Sequence, residues 1–531
     1  MGDEFTAAER TALAPYFTNL DGPVFALVNL PEVVKGALFA RYSRSAKSLR
    51  RLFLDEFVAP GSLDESGAHP PAPEAGFTRA ERLYERVFVE YGDDSVAQLG
   101  GVHLACEGAS NILTKVLEWG RLMAYLEQST RYVPYDDRPG GRFRYHVPAE
   151  LQGRLRDHYI AAQDAAFATY AEWLPRLRDF YAARFPRPAG ESEGVHRASI
   201  RAKALDTLRG LLPAATISNV GIFGTGQGYE QLLLRMRAHP LAEVRASAEL
   251  MLTELRKVIP SFLRRVDMPE RGGAWSEYLA DTRAAVEATA KGLLADTKPE
   301  PRYEVTLTDF DPDGELKVVA AALYAATALP DDQLLALARR MSTAERQHVL
   351  DAYVGARGNR RHKPGRAFER TSYRFDILAD YGAFRDLQRH RLLTLEWQRL
   401  SPAHGYAMPD AMAEAGGRAD WERVMDESAA TWEAIARAGM PEVAAYAVSM
   451  AYRVRFTMQM NAREAMHVIE LRTTPQGHPA YRRICQAMHR LIAQRAGHPA
   501  IAAAMRFADH SPVALERLEA ERAAEQRRRR S

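Results

Sequence analysis

The hydrophobic positions of this chain mostly repeat at intervals of three and four residues, with charged residues between them. This period places apolar side chains on one face of an α-helix. The segment 22–58 shows the pattern with basic residues in between, and it predicts a helical N-terminal extension. Ala, Leu, Arg and Glu dominate the later periodic stretches, which suits helix propensity. We predict long helices over 101–128, 154–184, 226–259, 274–294, 315–342, 412–438, 459–471 and 480–496.

Strand patterns are fewer than helix patterns in this sequence. The better ones are 303–307 and 371–378, and the first of them is followed by an Asp-Pro-Asp-Gly turn. An excess of helix over a few strands predicts an α+β fold. We expect long helices packed on a small, mostly antiparallel sheet in each domain.

The chain length and the positions of loop-forming stretches predict two domains. A chain of 531 residues is too long for one ordinary core. Residues 59–77 are rich in Pro, Gly, Ala and Ser and predict an exposed loop, and the polar stretch 296–302 predicts a boundary near 300. The predicted organisation is a helical N-terminal extension with its loop over 1–80, a first domain over 81–299, and a second domain over 300–531 that ends in a basic tail.

Composition excludes several classes of protein. Hydrophobic residues make up 47% and charged residues 26%, and the net charge is only +3, so the chain lacks a global field for nucleic acid or for an anionic membrane. The two cysteines, Cys106 and Cys485, have no metal-ligand spacing, and no metal site is predicted. The N-terminus lacks an apolar signal region and no run of about 18 apolar residues occurs. We expect a cytoplasmic protein.

Two segments concentrate Arg, His and hydroxyl groups within otherwise apolar helical stretches. Arginine presents a planar fork of donors that pairs with phosphate oxygens, so such clusters suit an anionic ligand, although a surface ion-pair network remains the alternative. The first segment, 119–132, contains Glu127, Gln128, Ser129 and Arg131, and the second, 389–402, opens with Arg389, His390 and Arg391.

Both segments resemble the signature of the flavin-dependent thymidylate synthase (ThyX) family, Arg-His-Arg followed by a stretch ending Glu-Gln-Ser-x-Arg-Tyr. The first copy keeps the ending but retains only Arg121 of the Arg-His-Arg, with Trp119 and Gly120 before it. The second copy keeps the complete Arg-His-Arg but has Arg399, Ser401 and Pro402 in place of the Ser, Arg and Tyr of the ending. Each copy has lost what the other retains. The chain thus resembles two diverged tandem copies, over roughly 85–260 and 303–495.

A second similarity lies downstream, where the family has an Asn and an Arg eleven residues apart. Eleven residues make about three helical turns, so both side chains share one helix face. The second copy has Asn461 and Arg472, whereas the first has Gly226 and Arg237. Arg209, which opens the sequence RGLLP in the first copy, matches a further Arg of the family, and 445–449 has lost that Arg in the second.

The resemblance implies a function and assigns roles to these residues. In the family, reduced FAD relays a one-carbon unit from methylenetetrahydrofolate to dUMP after NADPH has reduced the flavin, and no protein nucleophile is required. It implies flavin contacts from Arg389, His390, Arg391, Asn461 and Arg121. The implied dUMP contacts are Glu127, Gln128, Ser129, Arg131, Arg209, Arg237 and Arg472.

Family members are homotetramers with sites between subunits, so a two-copy chain is expected to form a homodimer that acts as a pseudo-tetramer. A composite site, with the Arg-His-Arg of the second copy facing the Glu-Gln-Ser-Thr-Arg-Tyr of the first, would explain the complementary losses. Two other hypotheses stay open: a repurposed or catalytically degenerate flavin- or nucleotide-binding relative, and a helical interaction or scaffold protein. Bound flavin would separate the last from the other two.

Overall fold

The computed structural model describes residues 5–42, 45–57 and 98–530 of the chain. Its helix-rich α+β architecture, with small antiparallel sheets, confirms the predicted fold class. The loop predicted over 59–77 lies outside the described residues. Within the described part of the chain, no helix is both long enough and apolar enough to cross a membrane.

The elements are numbered in chain order. The strands are β1 Gly101–Ser110, β2 Met123–Glu127, β3 Ile217–Thr225, β4 Val305–Phe310, β5 Ser372–Asp380, β6 Thr394–Trp397 and β7 Arg453–Asn461. The earlier helices are α1 Ala7–Leu13, α2 Glu32–Tyr42, α3 Leu49–Phe57, α4 Asn111–Leu117, α5 Gly153–Arg184, α6 Glu193–Leu208, α7 Gly226–Arg237, α8 Ala242–Arg256 and α9 Ala274–Leu293. The later helices are α10 Gly314–Tyr324, α11 Asp331–Arg340, α12 Thr343–Val354, α13 Tyr381–Gln388, α14 Asp410–Glu414, α15 Arg418–Arg437, α16 Pro441–Ala444, α17 Ala462–Arg472, α18 Pro479–Gln494, α19 Pro499–Ala504 and α20 Leu518–Arg530.

Two compact units interleave along the sequence. The first comprises Met1–Glu107, Gly120–Glu127 and Asn219–Thr297, and the second comprises Gly108–Trp119, Gln128–Ser218 and Lys298–Ser531. The sequential division into domains at 80 and 300 stays a prediction.

The first unit is built on a three-stranded sheet in the order β1-β3-β2. Strands β2 and β3 are antiparallel, with Met123 opposite Gly224 and Glu127 opposite Val220. Alternate residues of β3 are buried, and Phe223 on the opposite face is 42% exposed. This alternation is the pattern of a strand with one covered face. Helices α7 and α8 pack together in this unit.

The second unit is built on a four-stranded antiparallel sheet in the order β4-β5-β7-β6. Its long central pair is in continuous register from Ser372 opposite Asn461 to Asp380 opposite Arg453. Helix α18 covers β4 and β5, and α13 packs against β5 and β7. The core of this unit is formed by inward-facing residues of the central strands, all at most 1% exposed: Tyr373, Phe375, Ile377, Val454, Phe456 and Met458.

Equivalent segments of the two copies hydrogen-bond to each other inside the second unit. Residues 209–213 of the first copy run antiparallel to 445–451, which hold the corresponding segment of the second. Ala214 N–H donates to the Val448 carbonyl at 2.8 Å, and Met450 N–H donates to the Leu212 carbonyl at 2.9 Å. The duplication therefore brings residues of both copies side by side within one chain.

Several predicted helices are wrong or divided. The helix predicted over 101–128 is replaced by β1, α4 and β2, because strand pairing with β3 overrides its helix propensity. The start of the helix predicted over 459–471 is the end of β7. Three other predicted helices are each divided in two, at residues where a helix is readily broken. The breaks are at Pro240 in 226–259, at Pro330 in 315–342 and at Gly416-Gly417 in 412–438. The helices predicted over 154–184 and 274–294 are confirmed.

Candidate functional site

Arg131 of the first copy lies in a buried ion pair. It follows β2 in a turn where its backbone N–H donates to Ser129 Oγ at 3.2 Å. Its Nε and Nη2 each donate to one oxygen of Asp206 at 2.6 Å, so the pair is bidentate. The third nitrogen, Nη1, donates to the hydroxyl of Tyr481 in α18, a residue of the second copy, at 3.2 Å.

Asp386 joins an arginine of each copy. Arg209 directly follows α6, and its Nη1 donates to Asp386 Oδ2 at 3.1 Å. Arg389 caps the C-terminus of α13, and its Nη2 donates to the other oxygen of the same carboxylate. Asp386 is three residues before Arg389, a spacing that places the two side chains on one helix face.

Arg472, the last residue of α17, contacts a neutral ring instead of a carboxylate. Its Nε–H donates to His390 Nε2 at 2.8 Å, and its guanidinium lies 5.4 Å from the centre of the Tyr481 ring. Because an arginine can only donate, Nε2 of His390 is the unprotonated nitrogen and Nδ1 carries the proton. Among the described residues, no carboxylate forms an ion pair with Arg472.

Burial and charge act in opposite directions on the groups of this site. We call Arg131, Arg209, Arg389 and Arg472, with Asp206 and Asp386, the arginine cluster. Burial would raise the pKa of both carboxyls, but the neighbouring guanidiniums hold the pKa of each below its usual range. Burial lowers the pKa of Arg472. Asp380 Oδ1 also lies 3.7 Å from Arg209 Nη2, and even with this third carboxylate counted as ionised the four guanidiniums are in excess, so the site keeps a positive charge that suits an anion.

The histidines beside the cluster are held neutral. Burial, assisted by the charge of Arg472, lowers the pKa of His390 well below its usual range. Burial and the charge of Arg209 lower the pKa of His478 to about 3. His478 caps the N-terminus of α18, and its Nε2 lies 3.3 Å from the Asp206 carbonyl oxygen. At neutral pH these rings therefore serve as hydrogen-bonding groups without charge.

The remaining predicted site residues lie in other settings. Asn461 is the N-cap of α17, where its Oδ1 accepts from Glu464 N–H at 2.9 Å, which leaves its amide nitrogen as a donor. Arg391 is exposed, and Gln128 and Ser129 are partly exposed in the second unit. Three others belong to the first unit: Arg121, Glu127 and Arg237. There Arg237 ends α7 and pairs with Glu249, whose side chain is 58% exposed.

A group of possible metal ligands adjoins the cluster. The ligand atoms of His390, Glu464 and His467 all lie within 4.8 Å of one another. Glu464 Oε1 is 3.6 Å from His390 Nδ1, and burial raises the pKa of Glu464 to about 7. The positive charges of Arg391, Lys363 and the arginines at 360, 463 and 472 surround this group and oppose a divalent cation. We therefore interpret the group as a structural contact between a carboxyl and two imidazoles, which does not require a divalent cation to be held among positive charges.

Sequence reasoning missed the acidic half of the cluster. Asp206 and Asp386 each stand three residues before an arginine, in DTLR and DLQR, and this shared spacing is a signal that the sequence contains. Tyr481 and His478 lie just after α17, and the sequence around them does not distinguish them from surface residues. The tertiary contact with Arg131 is what gives Tyr481 a role.

The donor set of this site fits a phosphate-bearing cofactor such as FAD. Arg389 and Arg391 supply fixed positive charge at the end of α13, and Asn461 supplies an amide donor on the neighbouring element. Guanidinium forks and amide donors are the groups that bind diphosphate and phosphate oxygens. Such a ligand would have to share the guanidinium donors of Arg389 with Asp386, which already accepts from Arg389.

A family model matches most of the chain. The model of the family described as thymidylate synthase complementing protein matches the chain twice, over residues 42–261 and 306–498. These segments cover most of the chain, and the chain therefore belongs to this family. The two matches confirm the tandem resemblance found in the sequence.

Individual relatives fall into two groups. A UPF0159 protein of Chlamydia muridarum is 38% identical over 521 residues, which cover 98% of both chains. A UPF0159 protein of Thermoplasma acidophilum is 29% identical and covers 92% of this chain and 97% of its own. A flavin-dependent thymidylate synthase of Mycobacterium sp. (strain JLS) is 31% identical over 188 residues, 35% of this chain and 69% of that enzyme.

Proposed function

We propose that the chain is a flavin-dependent thymidylate synthase that converts dUMP to dTMP in the cytoplasm. Its one-carbon donor would be methylenetetrahydrofolate, its cofactor FAD and its reductant NADPH. The observation that carries the proposal is the arginine cluster, in which Arg472 keeps no carboxylate partner among the described residues and the guanidiniums outnumber the carboxylates that pair with them. Family membership and the flavin-dependent relative support the same activity.

In this proposal the two copies share one site. The first copy contributes Arg131 and Arg209, which, with Arg472 of the second, would bind the phosphate and pyrimidine of dUMP. The second copy contributes Arg389, His390, Arg391 and Asn461, which would hold the flavin. Reduced flavin supplies the hydride that completes the methyl group. The protein's part is to bind both anions and to align their rings, which is how positioning lowers a barrier without a nucleophile.

The site would be composite within a single chain, because the contacts among Arg131, Asp206 and Tyr481 are made inside the second unit. Mixing an Arg131→Ala chain with an Arg389→Ala chain should therefore restore no synthase activity. Recovery towards about a quarter of the wild-type rate, the most that random pairing of the two chains in a dimer allows, would mean that each site is assembled from two subunits. Homodimerisation stays a prediction that sedimentation of the purified protein would test.

One observation favours a second candidate, a nucleotide-binding relative that has lost the synthase reaction. Asp206 and Asp386 already occupy donors of three arginines, Arg131, Arg209 and Arg389. A phosphate would have to compete with these carboxylates for guanidinium donors. If the phosphate of dUMP cannot displace these carboxylates, dUMP does not bind. Flavin can still bind near the exposed Arg391.

The deciding experiment follows the flavin and the product together. The purified chain is reconstituted with FAD, its absorbance is recorded, and anaerobic reoxidation of the reduced flavin is assayed with dUMP and methylenetetrahydrofolate. Flavin-dependent dTMP formation supports the synthase, and bound flavin without dTMP supports the second candidate. A chain that binds no FAD contradicts both.

Arg472→Ala and Arg237→Ala form a matched pair for this assay, since both remove the downstream arginine of a family motif. Losing a hydrogen bond to a charged ligand costs about 1.5–3 kcal/mol, so dUMP binding to Arg472→Ala should weaken about 10- to 150-fold. Arg237→Ala, which loses only a pairing with a largely exposed carboxylate, should bind dUMP within about twofold of wild type. Equal losses in the two variants would contradict the assignment of the site.

A further inference from the structure

Residues 509–530 lie beyond the last family-matched residue, at 498, and form a segment that we call the C-terminal strap. Its first residues are held by α18 of the second copy. Gln486 Nε2 donates to the Asp509 carbonyl at 2.9 Å, and Arg482 Nη2 donates to the Ser511 carbonyl at 3.1 Å. Its final helix, α20, packs along α6 of the first copy. Within the second unit, the strap therefore connects the two copies.

Two ion pairs attach the strap to α6 and to the residues before it. Lys203 Nζ in α6 donates to Glu516 Oε1 at 2.8 Å, and the side chain of Glu516 is only 4% exposed. Arg522 Nε donates to Glu191 Oε2 at 2.7 Å. Lys203 is three residues before Asp206, a spacing that places both side chains on one face of α6. The strap thus holds the helix that carries an acidic member of the arginine cluster.

The strap also contacts the turn that carries Arg131, through Arg517. The Arg517 guanidinium lies 3.8 Å from the centre of the Tyr132 ring, and its Nη2 donates to the Tyr132 hydroxyl. The side chain of Arg517 is 11% exposed, and a cation over an aromatic ring binds more strongly when it is shielded from water. Tyr132 directly follows Arg131, and its N–H donates to the Ser129 carbonyl at 3.1 Å. A restraint on the Tyr132 ring is therefore a restraint on the Arg131 turn.

These attachments converge on the buried ion pair between Arg131 and Asp206. Asp206 is held through α6, and Arg131 is held through its turn. Tyr481, the other partner of Arg131, belongs to α18, to which the first residues of the strap are bound. A site assembled from two copies needs its parts at fixed positions, because a misplacement of about 1 Å is enough to weaken productive binding strongly.

We propose that the C-terminal strap holds the two copies together at the arginine cluster, with Arg517 as the positioning residue that fixes Arg131. Arg517 contacts no ligand in this proposal and acts through Tyr132. The inference rests on the proposed function only in naming dUMP as the ligand of Arg131. Because coupling between two sites is reciprocal, a nucleotide bound at Arg131 should in turn stabilise the strap.

Hydrogen exchange of the ligand-free, full-length chain tests the strap without any assumption about function. Arg517→Ala should raise the exchange rates of the backbone amides of 131–133 at least tenfold. Arg527→Ala is the matched control, because Arg527 is an exposed arginine of the adjoining α20, and it should leave these rates within twofold of wild type. Arg517→Lys, which keeps a cation over the ring, should restore most of the protection.

Unchanged exchange at 131–133 in Arg517→Ala would overturn the proposal. If this variant fails to fold, Tyr132→Phe, which removes only the hydroxyl that accepts from Arg517, takes its place. It should raise the same exchange rates about threefold or more. No rise in Tyr132→Phe would then overturn the proposal equally.

Ligand binding separates positioning from a merely structural role. In Arg517→Ala, the affinity for dUMP should fall about tenfold, because Arg131 is no longer fixed. The affinity for FAD should stay within twofold, because its predicted contacts lie at the end of α13 and the start of α17. Equal losses for both ligands, or no loss for dUMP, would overturn the positioning role. If the wild-type chain binds no dUMP, the proposed function fails, and the exchange measurement alone decides whether the strap holds the Arg131 turn.

Discussion

The strand and helix β3–α7 of the first copy and β7–α17 of the second are the same structural unit with different chemistry. In both, a nine-residue strand runs directly into a helix whose N-cap side chain accepts a backbone N–H: Thr225 from Gly228 at 3.2 Å, and Asn461 from Glu464 at 2.9 Å. Both helices end in the motif arginine. Arg237, however, pairs with a largely exposed carboxylate, whereas Arg472 donates to a buried, neutral histidine.

The difference shows that scaffold and chemistry diverged separately after duplication. Helix capping depends on local geometry, so either Thr or Asn preserves it, and both copies have kept it. An anion site depends on several charges brought together, and once one copy supplies them the other is free to change. Ionisable residues accordingly accumulate around α17. Counted back from the motif arginine, the α7 counterpart of Glu464 is Tyr229, which lies eight residues before Arg237 and donates to the Val102 carbonyl at 3.0 Å.

The largest expected effect on stability distinguishes the buried ion pairs of Asp386 from the exposed ion pair of Arg237. Asp386→Asn leaves Arg209 and Arg389 without their shared charge, and breaking a buried pair costs about 3–5 kcal/mol of unfolding free energy. Glu249→Gln, which removes the exposed partner of Arg237, should cost less than about 1 kcal/mol. Urea unfolding of both variants measures the contrast. Similar values would mean that the arginine cluster carries no more energy than a surface pair.

Much of the fold could be predicted from the sequence where a period was long and uninterrupted. Helices α5 and α9 follow their patterns closely, and the strand over 371–378 appears as β5. The central strand β7 was missed although its buried Val, Phe and Met alternate with polar residues, because its end was included in the helix predicted over 459–471. The strand–helix junction at Asn461 requires the partner strand β5 to fix it.

The candidate site could be predicted in its basic half only. Arg131, Arg209, Arg389 and Arg472 were found by motif, and the structure places all four in one cluster. The carboxylates that pair with these arginines were not found by motif. Asp206, for example, pairs with Arg131, which lies 75 positions away in the sequence. Nor could the sequence assign Arg237 and Arg121 to a different unit from the cluster, since that depends on chain path rather than on spacing.

A smaller effect concerns pH and sharpens the comparison at Glu464. Burial raises its pKa from 4.5 to about 7, so between these values the unfolded chain is ionised while the folded chain stays protonated. The free energy of unfolding should therefore fall with rising pH across this window, by at most about 3 kcal/mol, and then level off. His467, whose pKa burial lowers to about 4, acts in the opposite direction between about 4 and 6.5.

The difference between wild type and Glu464→Gln isolates the carboxyl from this opposing titration. The variant should gain stability relative to wild type as pH rises from about 5 to 7. Tyr229→Phe, its first-copy counterpart, should shift stability equally at each pH in that window, because a phenol whose pKa burial raises further does not titrate there. A flat Glu464→Gln difference would show that the carboxyl is ionised throughout and that the two copies do not differ here.

The smallest effect tests what the copies share. Thr225→Ala and Asn461→Ala each remove an N-cap and should each cost about 1 kcal/mol in urea unfolding, with the double variant near the sum. Asn461→Ser then separates scaffold from chemistry, because serine restores the cap but not the amide nitrogen. If Asn461 donates to a flavin, this variant recovers the stability of wild type while binding FAD several-fold more weakly. Full recovery of both would make Asn461 a cap alone, equivalent in role to Thr225, and would leave flavin binding to the arginines.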